Sequence, residues 1–525
     1  MIAAMRYKFT IIVLLTAAVI LVFSMRDERA VIDQYDNVNS RAIIEPDYSE
    51  TVIPPNIGPL NFVVRQEGIR YYVKIYSEQG KTIEIYNKTP EIIIPVKPWH
   101  ELLSRNKGKE LYFDIFVRFK NGKWKKFKSI NNKIAREEID KYMVYRRIRP
   151  LHSIWGQMGI YQYDLENNKE SPVISNESFN RGCVHCHTFF ENSTDKMLLH
   201  TRSSFGPSMM LFENGKVSNF DSRTQFGGAP IGHTAWHPGG KMIIFTIYKV
   251  RQFFHSARKE IRDVVDLDSA MGYYLFESKT LKSSEKFSDP DYLETFPTWS
   301  PDGKYLYFCH APILWTDRDR LPPENYAESR YSLMRISYDI KTDSWGELET
   351  VLSSKDSGLS ITQPRISPDE KFLLFCMCQY SGFPAFQENS DLYMMDLNTG
   401  KYQRLACNSE KSESWHCFSS NSRWIVFSSK RPDGFFSKAY FSYIDELGTA
   451  YKPFVLAQED PYFYNSHVKL YQMPELTKEP VLVTGESLAN LIRSTGRALT
   501  DIPVTSATVK AEGSRLYRLW QGGLE

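Results

Sequence analysis

Cys183, Cys186 and His187 stand in the stretch NRGCVHCHTF (180–189), where residue type and spacing point most directly to chemistry. Two thiols three positions apart can add to the two vinyl groups of one haem, and a histidine directly after the second cysteine falls under the iron as axial ligand. The same cysteines could instead close a small disulfide loop, join a zinc knuckle or form a thioredoxin-like redox pair. A knuckle needs four ligands, yet there is no second Cys-x-x-Cys, and the nearby donors are His185 and His200. The spacing therefore predicts one covalently attached haem c.

The other axial position draws on KMLLHTR (196–202). If that stretch is helical, His200 and Met197 share one face, with His200 the first choice of ligand and Met197 the second. His152, Met158 and His255 are donors more distant in sequence. Arg181 and Arg202 flank the motif, and the guanidinium of Arg202 suits a haem propionate. Two strong axial ligands would restrict the iron to electron transfer.

Around this motif the chain must build a scaffold. It has 525 residues, 42% hydrophobic and 14% aromatic, enough for more than one buried core. A net charge of +3 with interspersed signs excludes a nucleic-acid surface. Arg6 and Lys8 precede an apolar run (9–23) with no small-x-small cleavage site after it. Residues 1–26 are therefore expected to be an uncleaved signal anchor in the inner membrane, with the rest periplasmic; the alternative is a cleaved signal and a soluble periplasmic protein. Of the other cysteines, Cys309, Cys376 and Cys378 lie in strand-like apolar runs, and Cys407 with Cys417 is a candidate disulfide.

Residues 27–52 are polar and aperiodic and read as a tether. Short β-branched and aromatic runs over 53–138, with the hairpin signal Asn121-Gly122, predict a small β-sandwich containing one helical turn near 99–106. Beyond it four segments align without gaps: TAWHPGGKMIIFT (234–246), PTWSPDGKYLYFC (297–309), PRISPDEKFLLFC (364–376) and HCFSSNSRWIVFS (416–428). Each reads as strand, Pro-Asp-Gly-type turn and buried strand, about half of a four-stranded unit, and such quartets repeated radially make a β-propeller. The expected fold is all-β, with a propeller over 139–485, six blades favoured, a haem-binding insertion at 179–205 and a closing segment at 486–525.

The core W-S-P-D-G-K-x-aliphatic-x-aromatic resembles TolB-like and tricorn-like propellers. With the anchor, IPPNIGPLNF and RGCVHCHTF, the whole resembles Gram-negative envelope proteins often labelled TolB-like or cytochrome c biosynthesis-related. Resemblance of the motif to c-type cytochromes implies haem attachment outside the inner membrane by the cytochrome c maturation machinery. No Gly-x-Ser-x-Gly elbow, His-Glu-x-x-His helix or Asp-x-Asp-x-Asp-Gly loop occurs, so a hydrolase is not expected. The expected function is a membrane-tethered monohaem c-type cytochrome that passes single electrons to a docked envelope or periplasmic protein. The alternative is a module that binds an envelope protein or glycan, its haem structural or sensory.

Overall fold

The structure, a computed structural model, describes residues 32, 34–149, 156–213, 215–220, 231–278 and 280–494. The expected anchor (1–26) and His152 lie outside the described residues. Among the described residues no helix is long and apolar enough to cross a membrane.

Six four-stranded antiparallel sheets follow one another from Tyr142–Ile148 to Leu470–Thr477, in a propeller-like fold. Their innermost strands are neighbours around a closed ring. The last strand, Leu470–Thr477, returns to pair with Tyr142–Ile148 and so completes the first sheet. A strand from late in the sequence thus fills the inner place in the first sheet and joins the last sheet to the first.

The aligned repeats are the inner hairpins of the third to sixth sheets. The turn position needs a left-handed backbone, and Gly303 supplies it at φ 69°. Glu370 and Ser422 adopt the same conformation at φ 59° and 63°, held by Ser and Asp or Asn side chains that bond the turn backbone. The inner strands carry a second repeated feature, a bulge with one left-handed residue: His233, Phe296, Gln363, Trp415 or Met473, at φ 46–57°. Pro297, Pro364 and Pro474 follow at the bulge, where the missing N–H costs no ladder bond.

The haem motif is not an insertion. Cys183–Phe190 and Ser193–Ser203 are the first two strands of the second sheet, so the expected insertion at 179–205 is corrected to ordinary propeller strands. Residues 185–186 occupy the same bulge as the other inner strands. The stretch through Met197 and His200, which would share one face only on a helix, is a strand, because its apolar run completes a sheet.

The N-terminal part builds a seven-stranded sheet and a three-stranded one that share a core with helix Val96–Arg105. It begins earlier than expected. Asp36–Arg41 pairs in parallel with Trp124–Lys128, which corrects the tether assigned to 27–52. Its sequence, DNVNSR, carries no apolar alternation because an exposed edge strand needs only its backbone bonds. The same core continues into the first and sixth sheets through Tyr145, Tyr163, Trp424 and Phe441. Helix Gly485–Ser494, from the segment expected to close the ring or pack beneath it, packs Leu488 and Ile492 on the first and second sheets; the remainder of 486–525 lies outside the described residues.

Candidate functional site

Local sequence explains how the motif enters the ring. Asn180 and Arg181 take left-handed backbone at φ 58° and 55°, and the chain then passes so close to the second strand that a Cβ on Gly182 would lie 2.6 Å from the Arg202 carbonyl oxygen. Cys183 follows at 5% exposure and packs with Ile148, Met158 and Leu470, with Phe436 against them. Cys186 and His187, each 2% exposed, lie deeper and line the central channel.

His187 is oriented by one bond. Its Nε2 faces the carbonyl oxygen of Val144 at 3.3 Å, and a carbonyl only accepts, so the proton sits on Nε2 and the lone pair on Nδ1. That Nδ1 is buried with no hydrogen-bond partner. Burial first, then Arg146 and Arg365, lower the imidazole to about 4 against the opposing backbone of Val144 and Met473, so His187 is neutral at pH 7. Burial pushes the Cys186 thiol up to about 11 and raises Cys183 as well; Arg146 and Arg202 oppose both shifts.

The channel is electropositive. Arg202 donates to the Tyr248 hydroxyl at 2.7 Å, Arg146 to Oε1 of Gln472 at 2.5 Å, and Arg365 to Glu475 at 2.8 Å. Among the described residues lining the cavity, Glu475 is the only acid. His233 and His416 line it too, each lowered to about 3, first by burial and then by all three arginines for His233 and by Arg365 for His416.

Of the residues singled out in sequence, Cys183, Cys186, His187 and Arg202 come together. His200 and Met197 do not join them. Three residues apart on a strand, they face opposite ways: Met197 is wholly buried between the first and second sheets. His200 turns toward the third, with Nδ1 on the Ile231 carbonyl and Nε2 on the Thr234 hydroxyl, each at 3.3 Å. With both ring nitrogens engaged, it offers no lone pair to a metal. Met158 is the sulfur beside Cys183; its Sδ accepts from the Val184 amide at 3.3 Å. His255 lies elsewhere, against Asp263 at 3.4 Å. Cys407 and Cys417 are separate free thiols, as are all seven cysteines.

Arg146, His233, Arg365, His416 and Glu475 went unread in the sequence. Extending the repeat alignment three residues upstream brings the bulge positions together, since CVHC (183–186), IGHT (231–234), ITQP (361–364) and ESWH (413–416) fall in register there.

One space is lined by the motif itself, and a second lies beyond Phe436 and Leu470, which pack with Cys183. The channel cavity beside Cys186 and His187 measures about 50 Å³. At the mouth nearer Cys183 a pocket of about 490 Å³ opens, lined by Phe386, Phe435, Phe436 and Leu470 and rimmed by Arg149, Lys259, Arg262 and Lys430. A hairpin, Met242–Phe254 with Arg262–Leu275, arches over this mouth and is tied across it by Tyr380 to Asp263 at 2.7 Å and by the Lys430–Glu260 ion pair.

No family model and no curated protein matches the chain. Among solved structures it is similar to a 6-phosphogluconolactonase-like protein from Bacteroides uniformis, at 12% identity, covering 77% of this chain and 98% of that one with a TM-score of 0.32. An auxiliary nutrient binding protein from Bacteroides thetaiotaomicron is similar at 11% identity, covering 79% and 99%, TM-score 0.33. Prolyl oligopeptidase B from Galerina marginata is similar at 11% identity over 67% of this chain and 50% of that one, TM-score 0.31.

Proposed function

We propose that this protein carries one covalently bound haem c and exchanges single electrons with a docked envelope partner. The observation that carries the reading is His187. Directly after two thiols in the attachment spacing, it holds a buried, unpartnered lone pair on Nδ1, fixed by the Val144 carbonyl on the other nitrogen.

The donor set fits the group. Cys183 and Cys186 would hold it by thioether bonds, His187 would ligate iron, and Arg146 and Arg202, whose charges act on both thiols, would meet the propionates. Met158 places a thioether next to Cys183. The 490 Å³ mouth pocket lies within the roughly 300–1,000 Å³ range of small-molecule sites, whereas the channel cavity is far below it. That pocket, two of whose lining residues, Phe436 and Leu470, pack with Cys183, would be the space for the macrocycle. When bound, it would supply a reversible one-electron couple. The chain's own residues keep His187 neutral. The mouth's cationic rim favours an acidic partner face. Periplasmic location, an inner-membrane anchor and loading by the cytochrome c maturation machinery complete the proposal.

The test is haem staining after denaturing electrophoresis of the chain co-expressed with a maturation system. Wild type should stain, and Cys183→Ala with Cys186→Ala should not. An unstained wild-type band beside a stained control cytochrome sinks the reading.

A further inference from the structure

The channel cavity carries polar groups that the haem reading does not use. It is lined by Gln363, Arg365, Trp415 and His416 from the fifth and sixth sheets, in addition to the motif residues. The Oε1 of Gln363 accepts from the Trp415 backbone amide at 2.7 Å, which fixes the side-chain amide and leaves Nε2 as its free end. That Nε2 and the indole Nε1 of Trp415 are both buried and have no hydrogen-bond partner. Gln363 and Trp415 are 6% and 8% exposed, and both are the left-handed residues of their bulges, at φ 57° and 47°. Unmet buried N–H groups on strained backbone are costly, and such costs concentrate where a ligand offsets them.

Charge points to the ligand's sign. Arg365 uses one nitrogen on Glu475, yet 36% of its side chain remains accessible within the channel. Arg146 and Arg202 add positive potential, and after burial, the larger cause, they help lower His233.

We propose that the cavity binds a small oxyanion, which accepts hydrogen bonds from Gln363 Nε2, Trp415 Nε1 and Arg365. Its size follows from the space. About 50 Å³, at roughly 10–15 Å³ per water, holds about four water-sized centres, the bulk of a carboxylate or phosphate of few atoms. Entry is from the mouth opposite the haem pocket. There a vestibule of about 380 Å³, lined by Trp236, Trp299 and Lys478, also reaches Arg365. The site does not depend on haem.

Titration calorimetry of the full chain with formate, acetate, nitrate and phosphate, at constant ionic strength against chloride, tests it. At least one anion should bind with a stoichiometry of about one. Trp415→Phe and Gln363→Leu should each weaken that anion about tenfold, the loss of one charge-assisted bond. Cys183→Ala with Cys186→Ala should bind normally, which separates this site from the haem reading. If no anion binds beyond chloride, or if both channel variants bind as tightly as wild type, the proposal is overturned. Urea unfolding of each variant identifies one that fails to fold, and the other then decides.

Discussion

Gly182 shows how little freedom the motif has. A methyl there would press on the Arg202 carbonyl and on Ser203 Cβ, each 2.6 Å away, and both belong to the neighbouring strand's backbone or its first atom. Gly182→Ala should destabilise the fold by about 1–3 kcal/mol, as overpacking does, and reduce haem loading, because the displaced residue is joined to Cys183. Urea unfolding and haem absorbance per chain would measure both, and a variant with wild-type values in each would contradict the geometry. Cys183, Cys186 and His187 were legible in the sequence because their chemistry lies in short-range spacing. Arg365 and His416 were not, because the fold brings them from across the ring. His200 and Met197 misled because a three-residue spacing means one face on a helix and opposite faces on a strand.

At the level of elements, the repeat was legible wherever the turn kept Pro-Asp-Gly or a close analogue. The second sheet escaped because its inner turn uses Glu191 and Asn192, both left-handed at φ 52° and 57°, in place of that signature. The polar edge strand Asp36–Arg41 escaped because only its backbone is recruited. Trp424 joins two levels of structure. Fully buried on the sixth sheet, it donates from its indole nitrogen to the Glu137 carbonyl at 3.1 Å, just where the N-terminal sheets meet the ring. Trp424→Ala should cost about 3–5 kcal/mol. Both parts should loosen together, visible as one shifted urea transition; an unchanged midpoint would mean that this seam contributes nothing to stability.

For the molecule as a whole, buried titratable groups set how stability responds to pH. His200, His233 and His416 have folded values of about 4, 3 and 3, all below the ordinary 6.5, chiefly through burial. Their contribution is full above 6.5 and is lost as pH falls toward the folded values. By pH 5 each has lost about 2 kcal/mol, or about 6 together. Asp266 works in the opposite sense. Burial raises it to about 7, so its contribution is full below about 4 and disappears as pH rises through 7. Acidification from 7 to 5 returns about 2 kcal/mol from it, less than the three histidines remove. The urea midpoint should therefore fall between pH 7 and pH 5, and a constant or rising midpoint would contradict this balance.

The closing strand Leu470–Thr477 also imposes an order in time. Synthesis proceeds from the N-terminus, so Cys183 and Cys186 emerge long before the segment that shuts the first sheet over their neighbourhood. In the finished ring they are 5% and 2% exposed. Whatever reacts with these thiols thus works against a deadline set by chain completion. A chain ending before residue 470 should be alkylated at both cysteines under native conditions while the full chain is protected; equal labelling of the two would abolish the deadline.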